Sequence, residues 1–195
     1  MLLQVSTNQL TKPKVMNGGL IPKRYAKALY KFALQQGTAP VVYEEMKSVV
    51  YAFESNPDLC KVLANPFIDT KDKSMLLLSA AGDKPEDAYK GFVRLILDNN
   101  REMYAYEMAL AYRDIYRIAN NISMVHITTA AQMGKTEMDK LTSLVQKSFT
   151  GNTLEYSYSV DPEIIGGFVI DVDSVRMDAS ISNELEQLRL TLLNK

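Results

Sequence analysis

The 195-residue chain holds one cysteine, Cys60, one histidine, His126, and no tryptophan. A single thiol cannot close an intramolecular disulfide, and one Cys with one His is too few for a zinc site built from those ligands. The chain therefore reads as a protein of a reducing compartment. No eighteen apolar residues run together, because Lys, Asp or Gly breaks every long stretch, and no segment reads as a membrane-spanning helix. Acidic residues are missing before Glu44, whereas Lys12, Lys14, Lys23, Arg24, Lys27 and Lys31 precede it. A basic start of this kind raises the question of an organellar transit peptide. The run is Lys-rich, has no arginine before Arg24 and contains the helix-poor Asn17-Gly18-Gly19, so residues 1–20 are read as a flexible leader.

What is present is the balance of a folded protein, 47% hydrophobic and 23% charged, which excludes wholesale disorder. The net charge of -1 argues against a dedicated nucleic-acid binder, but it hides an asymmetry: +3 over residues 1–120 and -4 over 121–195. Eleven Tyr and ten Met supply adaptable apolar side chains that suit core and contact surface alike.

Apolar spacing divides the chain in two. Up to about Asn120 it is helical. Tyr25, Ala28, Leu29 and Phe32 form one stripe that Gly37 ends, and Pro40 opens a helix with Tyr43, Met46, Val50 and Phe53. Asn56-Pro57 is read as an N-cap and first helical proline before Leu59 and Leu63. Asp69 and Asp72 start a fourth helix from Met75 to Ala80, which Gly82 stops. Pro85-Glu86-Asp87 opens a fifth with Phe92, Leu95 and Ile96 inward, and a sixth from about Tyr104 carries Met108, Tyr112, Ile115 and Ala119. Short turns between short amphipathic helices leave them only one another to bury against.

After Asn120-Asn121 the period drops to two. Val125, Ile127 and Thr129 alternate with His126 and Thr128, and Thr136 is read as the cap of a helix through Leu141, Leu144 and Val145. Leu154, Tyr156, Tyr158 and Val160 form a second strand. Phe168 to Val172 form a third after a Gly166-Gly167 turn, and Val175, Met177 and Ala179 a fourth beyond a tight turn at Asp173-Ser174. Ile181, Leu185, Leu188 and Leu192 make the seam of a closing helix. The expected fold is α+β: a six-helix bundle over residues 21–120, then a small α/β segment over 121–195 with a mixed sheet and a C-terminal helix.

Gly134-Lys135-Thr136 ends like a phosphate loop and lies between a strand and a helix, while Phe168-Val169-Ile170-Asp171 imitates a magnesium-holding strand. The loop's first glycine, which lets successive amides turn onto the phosphates, is replaced by Thr129. Asp171, Asp173 and Asp178 resemble a calcium loop until Val175 and Arg176 stand where an acid or amide and a glycine belong, so they read as turn and cap residues. His126 has no second ligand, Cys60 reads as a small core residue, and no serine has a nucleophile-elbow setting. No catalytic, metal or cofactor site is expected.

Three N-terminal segments and one C-terminal run carry a family likeness. The segments are Arg24-Tyr25-Ala26-Lys27-Ala28-Leu29-Tyr30, Leu63-Ala64-Asn65-Pro66-Phe67-Ile68 and Asn99-Asn100-Arg101. The run extends from Leu154-Glu155-Tyr156 through Val160-Asp161-Pro162-Glu163-Ile164-Ile165-Gly166-Gly167-Phe168-Val169-Ile170 to Asp178-Ala179-Ser180-Ile181. Together they resemble the delta subunits of F-type ATP synthases, the oligomycin sensitivity conferral protein family, over about Ile21 to Leu193. The family usually has a basic or amide residue at the place of Asp171 and often glycine at that of Ala179. The resemblance implies a non-catalytic stator subunit of a proton-translocating ATP synthase at the cytoplasmic face of a bacterial membrane, associated with that membrane only through the complex. It implies that the bundle takes an N-terminal helix of the alpha subunit, on the catalytic head, in a groove between its first and fifth helices, and that the C-terminal segment holds the b-subunit peripheral stalk. On that basis Tyr25, Leu29, Phe92, Leu95 and Ile96 are expected in the groove, Lys27 and Arg94 at its rim, and Ile181, Leu185, Leu188 and Leu192 on the stalk. The competing reading is a small phosphate-loop-like nucleotide binder using Lys135 and Thr136. An RNA-binding module using the basic leader is disfavoured by the overall charge.

Overall fold

The computed structural model describes residues 19–148 and 152–193; of the leader expected over residues 1–20, residues 1–18 lie outside the described residues, and Leu20 already begins a helix. Two compact units divide between Ala119 and Asn120.

The first unit is helical: α1 (Leu20–Gln35), α2 (Ala39–Ser55), α3 (Asp58–Ala64), α4 (Thr70–Ala81), α5 (Asp87–Asp98) and α6 (Ala105–Ala119), with a 3-10 turn at Glu102–Tyr104 before α6. The helix stops are chemical. Gly37 takes φ 71 after α1, and Asn100 and Asn121 take φ 53 and 51 after α5 and α6, conformations that Gly and Asn reach most cheaply. One core joins Ala26, Leu29 and Ala33 of α1 to Val42, Met46, Val49 and Val50 of α2, Leu77 of α4, Tyr89, Val93 and Ile96 of α5, and Met108 and Tyr112 of α6. Tyr89 and Tyr112 keep their buried hydroxyls satisfied, Tyr89 donating to the Leu77 carbonyl at 2.8 Å and Tyr112 to the Ala39 carbonyl at 3.2 Å. Burial pushes both hydroxyls well above the ordinary tyrosine range, so they stay protonated donors.

The second unit is a four-stranded mixed sheet of order β2-β1-β3-β4, made of β1 (Ile122–Thr129), β2 (Thr153–Val160), β3 (Gly167–Val172) and β4 (Val175–Ser180). β1 and β2 are parallel and joined through α7 (Lys135–Ser148); β3 is antiparallel to both β1 and β4. Val125, Ile127, Ile170 and Val172 pack with Leu141 and Val145 of α7 into a separate small core. Asp173 takes φ 49 in the β3–β4 turn, and its Oδ1 accepts from the Met124 amide at 3.1 Å. α8 (Ile181–Leu193) begins on Ser180, whose Oγ accepts from the Asn183 amide at 3.2 Å.

The α+β class and its division into helices and then strands are as expected, but several residue assignments change. The buried stripe of α1 is Pro22, Ala26, Leu29 and Ala33, which leaves Ala28 and Phe32 exposed: small alanines, not the aromatic ring, let α1 approach its neighbours. Met75 and Leu95 face outward, because Leu77 of α4 and Phe92, Val93 and Ile96 of α5 already complete the core side. Cys60 is exposed on α3, not a core residue. Asn56 does not cap α3; its Nδ2 donates back to the Ala52 carbonyl at 3.2 Å, closing α2. Thr136 lies inside the first turn of α7, where Glu137 instead reaches back to accept from the Gly134 amide at 3.2 Å.

Candidate functional site

α1 packs against both α5 and α6. Tyr30 turns toward α6, its ring centroid 6.0 Å from Tyr112 and 6.3 Å from Tyr116. Helical geometry therefore places Tyr25 and Phe32 on the opposite flank of the buried α1 stripe. Of the residues expected in a groove, Leu29, Phe92 and Ile96 are buried in the core, and Tyr25 is half-buried against it. Leu95 stands 46% exposed one turn from Gly91, where a Cβ would meet open space. Lys27 and Arg94 are exposed. On the flank of α1 away from Tyr30, and on α5, the apolar surface left is thus Tyr25, Ala28, Phe32 and Leu95, while Leu20 and Leu34 are exposed elsewhere on α1. The sequence reading assigned Phe32 to the core; the signal that would have placed it outside was the Ala26–Ala33 pair, whose side chains are too small for a hydrophobicity count to notice.

On the second unit, α8 buries none of its residues. Ile181, Leu185, Leu188 and Leu192, the expected stalk contacts, are 44, 52, 60 and 75% exposed, joined by exposed Leu190 and Leu193. That is a 13-residue amphipathic helix with its apolar seam uncovered among the described residues. Glu184 and Glu186 lie between the leucines, with one cation, Arg189, 3.6 Å from Glu186.

The phosphate-loop candidate has the right order and the wrong geometry. Residues 130–134 join β1 to α7, but Thr129 stands for the missing glycine and its Oγ1 donates to the Ala131 carbonyl at 2.9 Å. Asp171 lies on β3, antiparallel to β1 and paired with His126, three residues back from Thr129. That is about 10 Å along the strand from where a magnesium-holding carboxylate would stand. Lys135 and Thr136 therefore begin a helix without a phosphate cradle.

The other polar candidates are engaged locally. His126 bonds Ser157 Oγ through Nδ1 at 2.8 Å and Ser159 Oγ through Nε2 at 3.0 Å. Asp171 lies 3.8 Å from Arg176 on β4, which balances an acid at a place where the resembling family usually carries a base or amide. Asp178 accepts from both the amide and the hydroxyl of Ser180. No group of three or more His, Cys, Asp or Glu able to hold a metal occurs among the described residues.

Comparison with known proteins bears on these surfaces. The family model described as ATP synthase delta (OSCP) subunit matches residues 21–192. Proteins named ATP synthase subunit delta are 34% identical over 178 residues in Phocaeicola vulgatus, covering 91% of this chain and 96% of that one. They are also 34% identical over 182 residues in Bacteroides fragilis (92% and 97%) and 29% over 177 in Desulforamulus reducens (91% and 97%). A chain in the cryo-EM structure of the Toxoplasma gondii mitochondrial ATP synthase hexamer superimposes with a TM-score of 0.69 at 18% identity, covering 90% of this chain and 98% of its own. At that identity the likeness is one of fold.

Proposed function

The chain belongs to the ATP synthase delta (OSCP) subunit family, and from that membership we propose that it is a non-catalytic stator subunit joining the catalytic head to the peripheral stalk. The observation that carries the reading is the family match over residues 21–192, which spans both units. The geometry supports it with uncovered apolar surface on each: Tyr25, Phe32 and Leu95 on α1 and α5, and the leucine seam of α8. The first surface takes the N-terminal helix of an alpha subunit, with Lys27 and Arg94 beside it; the second takes the b-subunit stalk. Leu29, Phe92 and Ile96 act from beneath, as the packed floor that fixes α1 against α5.

The mechanism is mechanical. Torque from the rotor does chemical work in the head only if the head is held still. An amphipathic helix laid on apolar surface supplies affinity through buried area, and two separate grips add effective concentration. No helix of the described residues is long and apolar enough to cross a membrane. Family membership supports a place at the cytoplasmic face of a bacterial membrane, reached through the complex.

Calorimetric titration of the full chain with a synthetic N-terminal alpha-subunit peptide tests the first grip, with ATP-magnesium as the parallel ligand. The expected result is saturable one-to-one peptide binding, weakened by about tenfold or more in Leu95→Asp while the far-ultraviolet spectrum is unchanged, and no heat from ATP. Loss of one partly exposed leucine contact plus desolvation of a new charge is of that size. Peptide binding indifferent to Leu95→Asp removes the proposed surface, and ATP heat that Lys135→Ala abolishes restores the nucleotide reading.

A further inference from the structure

Four non-glycine residues among those described have positive φ: Asn100, Asn121, Asp173 and Ile165. The first three are the residue types that tolerate it. Ile165 is β-branched, and its φ 67 and ψ -40 put it at the centre of a γ-turn in which the Gly166 amide donates to the Ile164 carbonyl at 2.7 Å. That conformation is rare and strained. Burial does not compensate for it, because Ile165 is 62% exposed. The next two positions are glycines, each for a steric reason. A Cβ on Gly166 would lie 2.6 Å from Ile181 Cδ1, and one on Gly167, at φ 76, would lie 2.1 Å from the Ala179 carbonyl oxygen. Glycine would relieve position 165 as well, yet an isoleucine is held there and aimed at solvent.

The turn is tied to the start of α8. The Ile181 amide donates to the Gly166 carbonyl at 3.0 Å, so Ile165 stands at the head of the seam formed by Ile181, Leu185, Leu188 and Leu192. The flanking charge is mainly acidic: Asp161 and Glu163 at the turn and Glu184 and Glu186 on α8, with Arg189 as the cation, 3.6 Å from Glu186.

We infer that Ile165 is the anchor of the stalk-binding surface, a strained side chain held out to enter a hole between turns of the docking helix, and that this helix carries Lys or Arg beside its apolar stripe. The inference rests on the stalk reading of residues 121–195. Strain retained at an exposed position is consistent with a contact made elsewhere, and an acidic border selects a basic partner.

The test uses the full chain and the soluble C-terminal segment of the b subunit encoded by the same organism. Ile165→Gly is expected to melt at the same temperature or higher, while binding that segment at least tenfold more weakly. The double variant Glu163→Gln, Glu184→Gln is expected to bind severalfold more weakly and to lose part of the salt dependence shown by the parent chain. A parent chain that binds and an Ile165→Gly variant that binds equally well overturn the anchor and leave the stalk reading intact. An Ile165→Gly chain that melts lower shows a structural role for the isoleucine and also overturns the anchor. Binding that is indifferent to both salt and the double variant overturns the basic partner. A parent chain that fails to bind the segment removes the stalk reading and this inference with it.

Discussion

One buried carboxylate, Glu45, sets the energetics of the helical unit at a single residue. Glu45, on α2, accepts the Glu86 amide through Oε1 at 2.5 Å and so caps α5 from another helix; α5 has no side-chain cap of its own. Its Oε2 is buried with no hydrogen-bond partner. Burial raises the Glu45 pKa above the ordinary 4.5, as does the charge of Glu86, while the Glu86 amide and Lys90 oppose the shift. A carboxyl with a raised folded pKa binds its proton more tightly in the folded chain. Its contribution is full below the unfolded value and is lost as pH rises through the folded one. Glutamine keeps the acceptor and does not titrate. Glu45→Gln should therefore gain stability relative to the parent as pH rises from about 4.5 to 7.5; Glu45→Ala, which does not titrate either, should gain in parallel but lie about 1–2 kcal/mol below Glu45→Gln at both, because the Glu86 amide loses its acceptor. Urea unfolding of the three chains at the two pH values measures it; a parent that gains on Glu45→Gln with rising pH contradicts the sign.

Between elements, the buried pair Lys73–Glu102 links α4 to the 3-10 turn before α6, with Nζ and Oε1 2.7 Å apart and side chains only 7 and 13% exposed. Removing one partner strands the other in low dielectric, so Lys73→Met alone should destabilise by about 3–5 kcal/mol, and Lys73→Met with Glu102→Leu by much less. A double-mutant cycle from thermal melts checks it, and additive losses would refute the coupling. This pair also marks what was legible in the sequence. Helices and strands were readable because a stripe or an alternation is a local property of a few turns. The burial of Lys73 and Glu45 was not, because their partners lie 29 and 41 residues away and nothing local distinguishes them from solvated charges. Which side of a helix stays exposed was not legible for the same reason. Whether Leu95 or Phe92 faces the core depends on which neighbours have already filled it, and the four seam residues of α8, Ile181, Leu185, Leu188 and Leu192, stayed readable because none of them is buried against a neighbour.

At the scale of the whole chain, each unit closes its own core. The buried apolar cluster of the helical unit lies within residues 26–112 and that of the sheet unit within 125–172. The two are unequal. Among the described residues the sheet unit rests on a cluster of six buried apolar side chains, leaves β4 largely exposed and adds a helix with no buried residue. A domain of that size with so small a core is marginal without a partner. Amide exchange followed by mass spectrometry in low urea should therefore show β1–β3 opening at lower free energy than α1, α2 and α6. The stalk segment at about a hundred times its Kd should raise the opening free energy of the sheet amides by about 2.7 kcal/mol and leave the helical amides where they were. The alpha-subunit peptide should do the reverse. A stator needs both units ordered when the complex is loaded, and the sheet unit carries the uncovered seam of α8, so the proposed stalk contact would add stability where the core is smallest. Equal opening energies in the two units of the free chain, or a stalk segment that protects the helical amides, would refute this division of labour.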